Sequence, residues 1–258
     1  MSNTERLVVL IVLVLVGLAF SLVMQPPALW LLAVVLVALV CVGTDHLIHL
    51  HWRIHIRHRR YAISLWIIPA LLTLGGIFFL RMPLFASGLA IAIGLVVISV
   101  LLALVIVSEY RTIDPEDPLY GIARFILNII GYLTVFALYT TIYGTKARSI
   151  MTATTITIVS ALVALELLRG SEARLSRHWL YAGLCGLGMG EITWALNYWT
   201  ISPLVGGIFL LLAFYAITGI VQNAFTSGLN RRVTAEFGAV TAIGLAFILL
   251  SMFLHRSA

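Results

Sequence analysis

Nine apolar stretches take up most of the chain: residues 7–24, 28–43, 61–80, 84–108, 120–143, 149–168, 179–199, 204–225 and 233–254. Each approaches the roughly 20 residues that carry an α-helix across the hydrocarbon layer of a bilayer. Inside lipid a backbone must satisfy its own N–H and C=O groups, so a spanning segment is either a helix or a strand of a closed barrel. Barrel strands alternate polar and apolar side chains, and these stretches do not. They predict helices. The expected fold class is an all-α polytopic membrane protein, a single domain over residues 1–258 with nine transmembrane helices. The second stretch is short, which predicts that its helix runs on into the polar residues after it. Composition agrees, with 62% hydrophobic residues against 10% charged, where a soluble domain carries about a quarter. No cleavage site of small residues follows the first stretch, which reads as a retained span. Cys41 and Cys185 lie in apolar stretches without CxxC spacing and point to neither redox nor metal chemistry.

The polar stretch 44–60, TDHLIHLHWRIHIRHRR, sets the direction of threading. It holds Arg53, Arg57, Arg59 and Arg60 with five of the seven histidines. Permanent positive charges flanking spans are retained in the cytoplasm, so this loop is assigned there. The same side then receives Arg6, Arg111, Arg169, Arg174, Arg177, Arg231 and Arg232, with Arg124 just inside the fifth span. The other side receives Arg81, Lys146, Arg148 and Arg256. Twelve cations against four support an N-terminus inside and a C-terminus outside. The outer turns 25–27, 82–83, 144–148 and 201–203 are short and mostly carry proline, whose missing N–H suits the first position of the next helix. The expected architecture is four outward-turning hairpins plus a ninth span. Arginines open several outward-running spans at similar separations, although bilayer thickness imposes such spacing on any sequence. The net charge of +6 reads as topology anchoring and not as nucleic-acid binding, because no basic arm is long enough to track a phosphate backbone.

Ionisable groups within spans carry the most information, since a charge at the bilayer centre costs about 3 kcal/mol on insertion scales. Arg124 and Glu166 are expected at one depth, since they stand at similar separations either side of the outer turn 144–148. They are predicted to pair, or to share a polar cluster with Asn128, one turn from Arg124. Glu166 has an alternative partner in Arg169 at i+3. Glu191 falls near the middle of the seventh span with no cation at its depth, and helical spacing places Gly188, Trp194, Ala195 and Tyr198 on its face. Gly186 and Gly190, on an adjacent face, let a neighbouring helix approach closely. Glu191 therefore either marks a proton or substrate path or hydrogen-bonds a neighbouring helix. Gln222, Asn223 and Glu236 read as an interfacial cap around the inner turn between spans eight and nine.

Two loops remain. As a helix, residues 44–60 put His51, His55 and His58 at i, i+4 and i+7, a spacing compatible with a metal. As an extended segment the same residues alternate with period two. Interleaved arginines disfavour a cation site, and contact of Arg53, Arg57, Arg59 and Arg60 with anionic lipid headgroups is the expected role. The next inner loop, 109–119 (EYRTIDPEDPL), is acidic and suited to docking on that basic stretch, although exposed pairs contribute less than ~1 kcal/mol each.

Nine spans with an inside N-terminus resemble the topology of the intramembrane aromatic prenyltransferases. That family carries two aspartate-rich, Mg²⁺- and diphosphate-binding motifs, in the inner loops after spans two and six. Here the first of those loops offers only Asp45, the second (170–178, GSEARLSRH) offers no aspartate, and Asp114-Pro-Glu-Asp117 stands in another loop. The resemblance covers topology alone, and fold does not carry function. Retinal binding lacks its lysine, since the only one, Lys146, lies in an outer turn. No cofactor is expected and an enzyme is disfavoured. The leading expectation is a permease or proton-linked small-solute transporter of the cell membrane, of bacterial inner-membrane type. It would use Glu191, Trp194 and Tyr198 with Arg124, Asn128 and Glu166. The alternative is a non-catalytic accessory subunit whose partners are other membrane proteins.

Overall fold

Each apolar stretch that the structure describes is a helix, and the boundaries follow local chemistry. The structure is a computed structural model, and it describes residues 3–49, 64–114, 116–169, 175–199, 201–226, 238, 239, 242, 244 and 246. The helices are α1 (Asn3–Ser21), α2 (Ala28–His49), α3 (Ser64–Phe79), α4 (Gly88–Arg111), α5 (Tyr120–Gly144), α6 (Ser149–Leu168), α7 (Leu175–Leu196) and α8 (Pro203–Thr226), with a 3-10 turn at Pro83–Phe85. No strand occurs among the described residues. Proline precedes or opens α2, the 3-10 turn and α8, as the outer-turn sequences predict. Ser87 caps α4, its Oγ accepting from the Ala90 N–H at 3.2 Å and satisfying one of the four otherwise unpaired amides of a helix start. Helix α2 continues six residues past Gly43, to His49, as its short apolar stretch requires. Pro69 sits inside α3, and the Thr73 hydroxyl donates to the Pro69 carbonyl at 2.8 Å.

Six of these helices are long and apolar enough to cross a membrane: α1, α2, α4, α5, α6 and α8. The protein is thus an α-helical membrane protein. Helix α3, over its 16 described residues, is shorter, and α7 is diluted by glycines and Glu191. The expected ninth span at 233–254 lies almost wholly outside the described residues, as do His51, His55, His58, the arginines at 53, 57, 59 and 60, and Glu236.

The chain forms two compact units, Met1–Thr134 and Val135–Ala258. In the first, α1 packs on α2 and α4, and α3 packs on α2 and α4. Their core combines Val14 and Leu18 of α1, Leu36 and Val40 of α2, Ile68 and Leu72 of α3, and Leu102 and Val105 of α4. Polar pairs hold both ends. Arg6 Nη1 lies 3.0 Å from His46 Nε2, and Arg81 Nη1 donates to the Ser21 and Met24 carbonyls at 2.6 and 2.8 Å. The sequence assigns Glu109 to a loop. Instead α4 runs on to Arg111 and Glu109 is fully buried. The acidic residues beyond it fold on themselves: Asp114 and Asp117 accept from the backbone N–H groups of Glu116 and Leu119, and Arg111 lies 3.6 Å from Asp117.

In the second unit α6 and α7 make the most extensive pairing, with α8 against both. At its centre the Ser160 hydroxyl donates to the Ile156 carbonyl and sits against the Tyr139 hydroxyl. The tyrosine is left as donor between them. The Tyr139 ring meets Phe214 edge-on at 6.1 Å. These contacts tie the end of α5 to α6 and α8 without an unpaired phenol in the interior.

Candidate functional site

Helix α7 carries the intramembrane glutamate, and its seam with α6 decides where that side chain points. Gly186 and Gly190, four residues apart, meet Ala153, Thr157 and Ala161 of α6, which are spaced by four in turn. A Cβ on Gly186 would come within 2.6 Å of the Thr157 carbonyl oxygen and 2.8 Å of the Ala161 methyl. Only hydrogen fits there. Without a hydrophobic drive between helices in lipid, such close backbone approach is what holds them together. The seam ends in a hydrogen bond from Asn197 Nδ2 to Thr152 Oγ1 at 2.7 Å.

Because Met189, Gly190 and Thr193 are buried, Glu191 is turned to the opposite side of α7 and is exposed. Trp194 and Ala195 share that exposed side, Gly188 is half-buried beside it, and Tyr198, two residues past the helix end, is exposed as well. Helical spacing thus puts Trp194 on the side of Glu191, while the helix stops short of Tyr198. Along α7 Glu191 stands nearer one end than the middle. Helix α7 ends at Leu196, five residues beyond Glu191, so the carboxylate rises from a Cα about 7.5 Å from the helix end.

The remaining candidates are distributed between the two units. Arg124, half-buried, and Asn128 belong to the first. The Asn128 Oδ1 atom is buried with no hydrogen-bond partner among the described residues. Glu166 belongs to the second unit, where it is 1% exposed, and its Oε1 lies 3.1 Å from Arg169 Nη2 at i+3. The Gln222 amide reaches the neighbouring Leu167 carbonyl at 3.5 Å. No group of three or more His, Cys, Asp or Glu side chains suited to a metal occurs among the described residues.

Sequence reasoning missed a polar latch at the other end of the second unit. The Tyr143 hydroxyl donates to the Leu196 and Trp199 carbonyls at 3.2 and 3.0 Å, at the turn where α7 stops. Lys146 Nζ lies 3.8 Å from the Tyr143 ring centroid and donates to the Ile201 carbonyl at 3.3 Å. Partial desolvation in this turn lowers the Lys146 pKa below the ordinary lysine value. Gly206 and Gly207 of α8 pack on Tyr143 and Thr140. The pairing of GG with a tyrosine three helices away has no local sequence pattern.

A protein-family profile described as "Protein of unknown function (DUF5656)" matches residues 7–251, nearly the whole chain. The chain belongs to the DUF5656 family. Comparison of this DUF5656 member with curated proteins gives no match, and comparison with solved structures gives none.

Proposed function

We propose that the protein is a non-catalytic membrane subunit that associates laterally with other transmembrane helices through the exposed face of α7. The observation that carries this reading is the exposure of Glu191 between Leu187 and Trp194 on a helix whose other side is sealed by glycines. A carboxylate facing lipid is unfavourable, and contact with another protein's polar group removes that cost. Its side chain leans toward the N-terminus of α7, as every helical Cα–Cβ bond does. It therefore points away from the near helix end, where water would otherwise reach it. The hydroxyls inside the spans also favour a packing role. Thr73, Ser99, Thr134, Thr157, Ser160, Thr193 and Thr218 all donate to carbonyls of their own helices, four residues back. They are engaged in packing and are not presented along a solute path.

The threading carried by the arginines belongs to the same reading: a multi-pass protein of the cell membrane, amino end in the cytoplasm and carboxyl end outside, with the basic stretch 44–60 on anionic headgroups. A reporter fused after Ala258 and active only outside the cytoplasm is expected.

A photo-activatable residue at Leu187 or Tyr198, irradiated in native membranes, is expected to form protein adducts. The same residue at Val35 of α2, on a purely apolar exposed surface, is expected to label lipid. Lipid adducts alone at Leu187 and Tyr198 would overturn the reading. Solute uptake lost in Glu191→Gln without any protein adduct would replace it with a proton-linked carrier.

A further inference from the structure

Buried oxygen atoms of three helices fall at one level of the first unit. Gly76 of α3 lies against Ile98 of α4, and Gly94 of α4 against Leu80 of α3, which fixes the register of that antiparallel pair. Leu65 precedes Gly76 by eleven residues and Glu109 follows Ile98 by eleven, about three whole turns in each helix. The two therefore stand level on facing sides. Between α2 and α3, the Trp30 and Phe78 rings meet at 5.1 Å. Fourteen residues on from Trp30 comes Thr44, and fourteen back from Phe78 comes Ser64. Ile48, one turn beyond Thr44 on α2, shares a buried cluster with Leu65, so this side of α2 faces α3. Thr44 and Glu109 are fully buried, and Ser64 is buried beside them.

Two of these oxygens lack what a helix ordinarily supplies. Pro69 has no N–H, so the Leu65 carbonyl has no amide four residues on to close its turn. The Thr73 and Thr134 hydroxyls donate to carbonyls four residues back, but Thr44 Oγ1 is buried with no hydrogen-bond partner among the described residues. Thr140 Oγ1 is another such atom, and it is packed on Gly207 of α8. Glu109 adds charge. It lies in the last turn of α4, where the negative end of the helix dipole opposes an anion and a cation is favoured. Side chains lean toward the N-terminus of their helix, which on α4 carries Glu109 toward the level of Pro69. The Leu65 carbonyl points the same way, along the α3 axis.

Carboxylate, hydroxyl and carbonyl oxygens are the ligands of hard cations. Carbonyls released where a membrane helix is interrupted are a recurrent place for a coupling cation. One buried carboxylate balances one positive charge, and Asp45, half-buried, is turned about 100° from Thr44 around α2. We propose that Glu109, Thr44, Ser64 and the Leu65 carbonyl bind an alkali-metal cation between α2, α3 and α4. This site lies in the other unit from Glu191 and goes beyond the lateral-assembly reading, so neither depends on the other.

The test is thermal unfolding of the full chain in neutral detergent at mildly alkaline pH, with sodium or potassium chloride exchanged for choline chloride at constant total salt. At least one alkali cation is expected to raise the midpoint saturably, the folded-to-unfolded ratio rising about elevenfold at ten times the dissociation constant. Thr44→Val and Glu109→Gln are expected to abolish the rise, and Thr140→Val to keep it. Pro69→Ala returns an amide to the Leu65 carbonyl and alters no ligating side chain. It is expected to weaken the response severalfold even if it raises stability in choline, whereas a purely structural proline would leave the response unchanged. Equal wild-type midpoints in choline, sodium and potassium would overturn the proposal whatever the variants do, and so would an undiminished response in Glu109→Gln. A midpoint that follows pH but neither alkali cation would leave these oxygens to a proton alone. Saturation by calcium at far lower concentration than sodium would make the site divalent. Either result overturns the assignment.

Discussion

Replacing Gly186 by alanine tests whether the α6–α7 seam holds the second unit together. The added methyl carbon would stand 2.6 Å from the Thr157 carbonyl oxygen, 2.8 Å from the Ala161 Cβ and 3.2 Å from the Ala161 nitrogen. Two of those three atoms are backbone, so no side-chain rotation relieves the overlap and the helices must part by several tenths of an ångström. Gly183 supplies the control on the same helix, since a Cβ there meets nothing within 4 Å. Both substitutions gain the same intrinsic helix propensity, about 1 kcal/mol for glycine to alanine, so their difference isolates the clash. Overpacking of a tight interface costs about 1–3 kcal/mol, which separates the two variants by roughly 5- to 160-fold in the folded-to-unfolded ratio. Reversible unfolding in mixed micelles by added SDS, followed by far-ultraviolet circular dichroism, measures that difference. Gly186→Ala equal to or more stable than Gly183→Ala would refute the argument that hydrogen at position 186 is a requirement of the seam.

The other predictions use the same assay. Glu166→Ala should destabilise the protein by about 3–5 kcal/mol, because it leaves Arg169, 9% exposed, without its carboxylate. The double variant Glu166→Met, Arg169→Met should recover most of that loss, and a double variant as unstable as the single one would show that the pair is not self-contained. Tyr143→Phe keeps the ring under Lys146 but removes the donor to the Leu196 and Trp199 carbonyls, and a loss of about 1 kcal/mol is expected. Lys146 has a φ of +46°, a left-handed conformation that costs a non-glycine residue about 1 kcal/mol. Lys146→Gly should therefore be more stable than Lys146→Ala by about that amount, although both lose the cation–π contact.

Much of the helix layout is legible in the sequence because lipid leaves the backbone few choices. The stretch 149–168 coincides with α6, and 120–143 falls one residue short of α5, since an apolar run bounded by charge or proline has one way to satisfy its peptide groups. The position of Gly186 and Gly190 on a face beside Glu191 follows from the 100° turn per residue and needs no tertiary knowledge. The distance of Glu191 from the helix end does not. It depends on where α7 stops, and the turn at 197–199 is held from other helices by Tyr143 of α5 and Thr152 of α6. Glu109 escapes the sequence for a similar reason: a run of polar residues after an apolar stretch looks like a loop, but the backbone keeps its helical bonding until Arg111. For Glu166, sequence spacing offers two partners, and the nearer one, Arg169, has an ion pair with it. Local pairing closes no loop and so loses less chain entropy.

A rod locked along two glycines cannot roll. The bearing of Glu191 is fixed by the residue before it, because Gly190 has its hydrogen wedged against Thr157. Inserting one residue between the two would swing the acid by about 100° and bring a different side chain to the outer surface, with the wedge itself untouched. The most extensive join among the described helices of this unit thus works as an aiming device, and the direction of that helix's only acid is the quantity it conserves.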